Sequence, residues 1–203
     1  MTTDPVLIAT CAAELLQAAR TRTPVRQLSQ RFPQLTIDDA YAIQWAWTQL
    51  RRDEGRVVQG RKIGLTSRAM QQAVNIDEPD YGVLLDDMFF ADGDDIPLQR
   101  FIAPRVEVEL AFMLARPLHG PNCTLADVLA AVEYVVPALE VLDARVQMTD
   151  AVTGTGRTIV DTIADNAADA AIVVSTHRVR PEEVDLRWVS ALLYRDGVIE
   201  ESG

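Results

Sequence analysis

From Arg105 to Leu114 the chain reads Arg-Val-Glu-Val-Glu-Leu-Ala-Phe-Met-Leu. Strict alternation and β-branched content over its first half predict a strand rather than a helix. Successive strand side chains point to opposite faces, so Glu107 and Glu109 share one face while Val106, Val108 and Leu110 share the other. Past Leu110 the run is wholly apolar, which predicts cover on both faces of the second half. Neighbours on one strand face stand about 7 Å apart. Two unit charges at that separation repel by about 0.6 kcal/mol in water and by about 2.4 kcal/mol at an effective dielectric of about 20. On a wet face the pair is a solvated edge; in a cleft it needs a compensating cation.

Composition narrows what such a cleft can serve. A chain of 203 residues suits one domain with a sizeable core, or one domain with a small appendage. The formal charge of −11 argues against nucleic acid or an anionic membrane as partner. An anionic substrate must therefore be met by a local cation or a metal, against the global field. Cys11 and Cys123 are too few for a disulfide framework and lack zinc spacing. With no basic leader and no long apolar run, neither a signal peptide nor a membrane span is expected, and the cytoplasm is the expected compartment.

Asp4-Pro5 opens a helix through Leu7, Ala12, Leu15, Leu16 and Ala19. Thr36 and Asp39 have capping-box spacing ahead of a helix carrying Tyr41, Ile43, Ala46, Trp47 and Leu50. Trp45 and Trp47 read as core or subunit contacts. Val57 to Leu65 reads as a short glycine-flanked strand, after which Thr66 or Ser67 caps a helix through Met70 and Val74. Lys62 then has two readings: a carboxylate-binding corner beside a helix N-terminus, or a strand lysine reaching solvent. Asp80, in Pro79-Asp80-Tyr81-Gly82, is either the aspartate that stabilises a turn or a group available for proton transfer.

Ala91 to Asp95 is an acidic turn without EF-hand spacing. Gly120-Pro121 forms a turn, and Thr124 caps a helix through Val128, Leu129 and Val132. Asp150 to Arg157 is a polar loop with the glycine content of a mobile segment, and Thr158 to Ala168 ends in a helical turn. Ala170 to Val174 is a buried strand, and Trp188 onward forms a hairpin through Asp196-Gly197. Repeats, low-complexity tracts, a Gly-x-Ser-x-Gly elbow and a phosphate-binding glycine loop are all missing from the sequence. Neither His119 nor His177 has the neighbours of a catalytic triad.

Tyr134 to Asp143 is an apolar run with Glu140 inside it. A buried carboxylate must be paired, protonated or metal-bound, and Pro137 marks the start of this strand as an edge or a bulge. Arg145 is close enough in sequence to pair with Glu140 or Asp143. Alternatively, Glu107, Glu109 and Glu140 meet across two strands. Three all-oxygen ligands with no His or Cys favour Mg²⁺ or Mn²⁺ over zinc. Such a site keeps positions open for a substrate that chelates through a carboxylate and an adjacent carbonyl. Spacing alone leaves the ion-pair and metal readings both open.

Four stretches go further. They are Gly60-Arg61-Lys62-Ile63-Gly64-Leu65-Thr66-Ser67, Glu78 to Met88, Pro104-Arg105-Val106-Glu107-Val108-Glu109, and Asp161 to Ala168. Together they closely resemble the hydratase/decarboxylase family of aromatic meta-cleavage pathways, whose members have the fumarylacetoacetate-hydrolase-type fold. The resemblance runs over essentially the whole chain with the motifs in order. It implies an α+β protein: a mixed β-sheet core over 57–203 forming the catalytic part, with an N-terminal helical segment over 1–56.

It further implies a divalent metal, usually Mg²⁺ with Mn²⁺ as the alternative, held by Glu107, Glu109 and Glu140. Lys62 falls on the lysine near the bound 2-oxo acid, with Leu65, Thr66 and Ser67 lining the same substrate corner, and Asp80 falls on the acid implicated in proton transfer. The implied reaction is ketonisation of a 2-hydroxy-2,4-dienoate and addition of water at C4, on a small dicarboxylate, by a homo-oligomeric hydro-lyase. The family's decarboxylase chemistry is the rival reading, and a non-catalytic partner subunit is another. A hydrolase is disfavoured because no histidine is placed to activate water. Family members continue past the position of Gly203 into further strands and part of the pocket rim, so part of the family fold is expected to lie outside this sequence.

Overall fold

The computed structural model describes residues 4–203. One compact unit comprises the described residues up to Phe90 together with Asp94–Val106 and Glu140–Ile172. Its first helix, α1 (Pro5–Thr21), starts where the Asp4 side chain accepts the Val6 N–H and Pro5 needs no donor, and stops at Arg22 with φ 54°. After the single turn α2 (Leu28–Arg31), helix α3 (Ile37–Asp53) opens with the reciprocal Thr36–Asp39 capping box. Leu15, Leu16, Leu28, Ile43 and Trp47 share a core with Val83, Leu85, Val146 and Ile163. Trp47 is 7% exposed, whereas Trp45, two residues away on the helix, is 57% exposed. Only Trp47 is a core residue.

Strands β1 (Val58–Gly64) and β2 (Asp80–Leu85) pair antiparallel, with Lys62 opposite Gly82 and Gly64 opposite Asp80. Between them, α4 (Arg68–Ala73) is capped by Ser67, whose hydroxyl accepts the Met70 N–H. The expected turn at Pro79–Gly82 is corrected here: Asp80 opens a strand and is buried. A turn aspartate sits on a polar surface, but cross-strand pairing with Gly64 draws this one inward.

A four-stranded sheet has the order β3 (Phe89–Ala91), β6 (Asp169–Val174), β5 (Val132–Leu142), β4 (Arg105–Leu114). The alternating strand β4 is therefore an end strand, and its apolar second half is not covered on both faces as expected. Phe112 and Leu114 are 46% and 49% exposed. Strand β5 is interior, so Pro137 does not mark an edge. The break falls beside it instead: the Pro137 carbonyl accepts the Ser175 N–H and Val135 pairs with Val179, two β5 residues opposing four.

The loop expected to be mobile is tied down. Asp150 is buried, takes the Arg26 Nε at 2.6 Å and accepts the N–H groups of Val152 and Thr153. Gln27 adds a bond to the Thr155 carbonyl. Helix α6 (Ile159–Ala164) follows, begun by the Thr158–Asp161 capping box.

The other unit comprises Ala91–Gly93, Glu107–Leu139 and Val173–Gly203. Helix α5 (Leu125–Ala131) has its Thr124–Asp127 capping box, and the Arg178 guanidinium lies over the Tyr134 ring. Strands β7 (Leu192–Arg195) and β8 (Val198–Ser202) form the expected hairpin, with Asp196 and Gly197 both at positive φ. Among the described residues, no helix is long and apolar enough to cross a membrane.

Candidate active site

Two glycines make room for the chemistry on β1 and β2. A Cβ on Gly82 would come within 2.7 Å of the Asn166 carbonyl and 3.0 Å of Lys62 Cγ. A Cβ on Gly64 would run into Asp80 Oδ1 and approach Lys62 Nζ to 3.4 Å. The stem of Lys62 thus lies across Gly82, and its ammonium and the Asp80 carboxylate converge over Gly64. Lys62 is drawn inward rather than out into solvent. Its side chain is 12% exposed, lies 3.1 Å from Glu140 Oε1 and donates to the Ala167 carbonyl at 3.3 Å. Burial works against its charge, but Glu140, followed by Asp80 and Asp169, outweighs burial and holds the ammonium above its ordinary range.

The Ala167 carbonyl is aimed by an unusual backbone. Asn166, Ala167 and Ala168 all have positive φ, at 54°, 51° and 60°, a conformation that costs a non-glycine residue roughly 1–2 kcal/mol. The Asn166 side chain compensates by accepting the Val83 N–H at 2.7 Å and donating to the Val83 carbonyl at 3.0 Å. A strained turn persists where its surroundings over-determine it.

Glu140 is buried on β5, next to β4 in the sheet. One carboxylate oxygen from each of Glu107, Glu109 and Glu140 lies within 4.8 Å of the others. Glu107 is exposed, Glu109 half-buried and Glu140 buried. Such an oxygen set suits a hard divalent ion.

Arg145 pairs with neither Glu140 nor Asp143. Its Nε donates to Asp165 Oδ1 at 2.5 Å and its Nη1 to the Asp169 carbonyl at 2.9 Å. Asp143 instead accepts the backbone N–H groups of Ile102 and Ala103. Strand β5 ends at Leu142, so Arg145 lies beyond the strand that carries Glu140. Asp165, after α6, meets the guanidinium instead.

Asp169 escaped sequence reasoning. It is fully buried, and among the described residues neither of its oxygens has a side-chain hydrogen-bond partner. Burial, reinforced by Glu140, pushes its carboxyl well above the usual range. The signal was present: an acid opens the apolar run Ala170–Val174, as Glu140 interrupts its own.

In the expected substrate corner, Leu65 has φ 54° and its carbonyl accepts the Gln71 side chain at 2.8 Å. Thr66 and Ser67 are exposed, and the Ser67 hydroxyl serves the helix cap. A cavity of about 120 Å³ beside Asp80 is lined by Ile37, Tyr41, Ile76, Glu78 and Ile163 among others. Tyr41 stacks on Tyr81 at 4.4 Å, and burial, then Tyr81 and Asp80, push its phenol up to about 12.

A largely buried ammonium and converging carboxylates on an α+β scaffold make an arrangement whose charges suit a hard cation. No family model matches the chain, but individual relatives do. It is 57% identical over 192 residues to 2-oxo-hept-4-ene-1,7-dioate hydratase of Escherichia coli, covering 95% of this chain and 72% of that protein. It is 44% identical over 186 residues to 2-keto-4-pentenoate hydratase of Paraburkholderia xenovorans LB400, covering 92% and 67%. Among solved structures, 4-oxalocrotonate decarboxylase from Pseudomonas putida G7, complexed with magnesium and adipate, superposes with a TM-score of 0.91 at 30% identity, over 100% of this chain and 74% of that one. The chain belongs to this hydratase/decarboxylase family, with the fumarylacetoacetate-hydrolase-type fold.

Proposed function

We propose that the protein is a divalent-metal-dependent hydratase. Its substrate is 2-oxo-hept-4-ene-1,7-dioate, taken as the 2-hydroxy-2,4-dienoate, and its product is 4-hydroxy-2-oxoheptanedioate, in homoprotocatechuate and 4-hydroxyphenylacetate breakdown. The observation that carries this reading is the approach of the Glu107, Glu109 and Glu140 carboxylates within 4.8 Å, with Lys62 against Glu140. These residues would hold Mg²⁺, or Mn²⁺ as the alternative; the all-oxygen donor set disfavours zinc.

When bound, the ion supplies the charge that polarises the 2-oxo group. Lys62 Nζ, kept protonated by Glu140, neutralises the C1 carboxylate or the enolate oxygen. Asp80 takes the proton of the 2-hydroxyl and returns one to C5, leaving a C3–C4 double bond conjugated to the ketone. Water then adds at C4 and C3 takes a proton. The cavity beside Asp80 is roomy enough for water. Leu65, Thr66 and Ser67 complete the corner around the acid.

The free thiols of Cys11 and Cys123 fit a reducing cytoplasm. Exposed Trp45, Val106 and Val108 support a homo-oligomer.

The test supplies 2-oxo-hept-4-ene-1,7-dioate and 4-oxalocrotonate separately, with Mg²⁺ and with EDTA, and identifies products. Hydration of the first, abolished by EDTA, is expected; CO₂ from the second would establish the decarboxylase instead. Asp80→Asn is expected to slow dienol protonation and hydration by about 10²–10⁴-fold, and unimpaired rates would remove Asp80 from the mechanism.

A further inference from the structure

We propose that Arg145 is a positioning residue for the hydration. It clamps the left-handed turn Asn166–Ala168 to the end of strand β5. In doing so it holds the two groups that seat the Lys62 ammonium, the Ala167 carbonyl and Glu140, at a fixed separation. The consequence for turnover rests on the hydratase reading; the hold on Lys62 does not.

Lys62 bridges two acceptors that come from different segments. Glu140 Oε1 lies 3.1 Å away on β5, and the Ala167 carbonyl 3.3 Å away in the turn before β6. The turn needs outside support, because three consecutive non-glycine residues stand at positive φ. Arg145, three residues past the end of β5, grips it at both ends. Its Nε donates to Asp165 Oδ1 and its Nη2 to the Asp165 carbonyl, each at 2.5 Å. Its Nη1 reaches across to the Asp169 carbonyl at 2.9 Å. The Arg145 backbone N–H donates to Asp165 Oδ2 at 2.8 Å, and the Asp143 N–H donates to the Ala168 carbonyl at 2.8 Å. All these ties run to the strand end that carries Glu140. On its other side the turn is fixed by the Asn166 bonds to Val83, next to the Gly82 that faces Lys62.

Two observations favour placement over stability as the use of this clamp. Arg145 and Asp165 are 5% and 2% exposed, and a buried ion pair returns little net stability for the desolvation it costs. Lys62 is also the only lysine in a chain with 19 basic residues. An ammonium is a compact point charge with no fork of its own to orient it, so its acceptors must do so.

Because Lys62 is the sole lysine, acetic anhydride followed by peptide mass spectrometry reads its ε-amine directly. Arg145→Lys keeps a cation for Asp165 but removes the planar fork that spans the turn. In metal-free protein, Lys62 is expected to acetylate about 10-fold faster in Arg145→Lys than in wild type, the weight of one charge-assisted hydrogen bond. Asp150→Asn, which loosens a different loop, is the destabilised control and is expected to acetylate at the wild-type rate. With Mg²⁺ and 2-oxo-hept-4-ene-1,7-dioate, Arg145→Lys is expected to lower kcat/KM by about 10–10²-fold. Where Lys62 is already Met, the same change is expected to cost no more than about 2-fold. Arg145→Gln, which keeps one amide donor, carries the same expectations if Arg145→Lys does not fold. An unchanged acetylation rate, an equal rise in Asp150→Asn, or the same fold-loss in both backgrounds would overturn the assignment. A wild type that hydrates nothing, with Lys62 still released in Arg145→Lys, would sink the hydratase reading and leave the clamp standing.

Discussion

A buried ammonium is tolerated only beside negative charge, and Lys62 and Glu140 supply each other's counter-ion at 3.1 Å. Lys62→Met therefore leaves Glu140 buried without that cation. In metal-free protein this is expected to cost about 3–5 kcal/mol, the usual penalty for breaking a buried pair. Mg²⁺ should restore much of the loss, because a cation then returns to the same carboxylates. Urea denaturation with EDTA and with Mg²⁺ checks this; an equal deficit in both would show that the ammonium serves packing alone. The sequence showed Lys62 as chemically pregnant but not what it faces. The register that sets it against Gly82 is fixed by two strands separated by a helix, which no local pattern encodes. Asp169 was visible as an acid opening an apolar run, but only its tertiary neighbours mark it as a buried one.

Local signals decided most elements. Capping boxes at Thr36, Thr124 and Thr158 all form, because the bonds that make them span three residues. The polar loop from Asp150 behaved otherwise: its composition reads as mobile, yet one buried aspartate organises it. Arg26 first, then backbone N–H groups of Thr153 and Val152, hold the Asp150 carboxyl well below its ordinary 3.8. A carboxyl depressed on folding stabilises above its unfolded pKa, and that contribution is lost as pH falls through and below 3.8. Asp150→Asn should accordingly lower the urea midpoint at pH 7, and the gap to wild type should narrow as the solution is acidified towards pH 3. A gap of constant width would mean that the ion pair with Arg26 contributes nothing pH-dependent.

At the scale of the whole chain, a charge of −11 works against gathering three of its carboxylates in one place, and the alternation of β4 already made that tension visible. What the sequence withheld was β4's place at the end of the sheet, because strand order depends on contacts between distant segments. The electrostatic tension makes the folded protein a receptor for cations that the unfolded chain is not. Binding that favours only the folded state stabilises it by about 2.7 kcal/mol at a hundred times the dissociation constant. For a chain of this size that raises Tm by about 5–10 °C. Because the attraction is partly long-range, raising salt should weaken Mg²⁺ binding and shrink the increment. Glu140→Gln should abolish it, since the buried member of the trio no longer contributes a charge. Thermal unfolding across Mg²⁺ concentrations at low and physiological NaCl reads both effects. An undiminished increment in Glu140→Gln would mean that the ion binds elsewhere on this acidic surface.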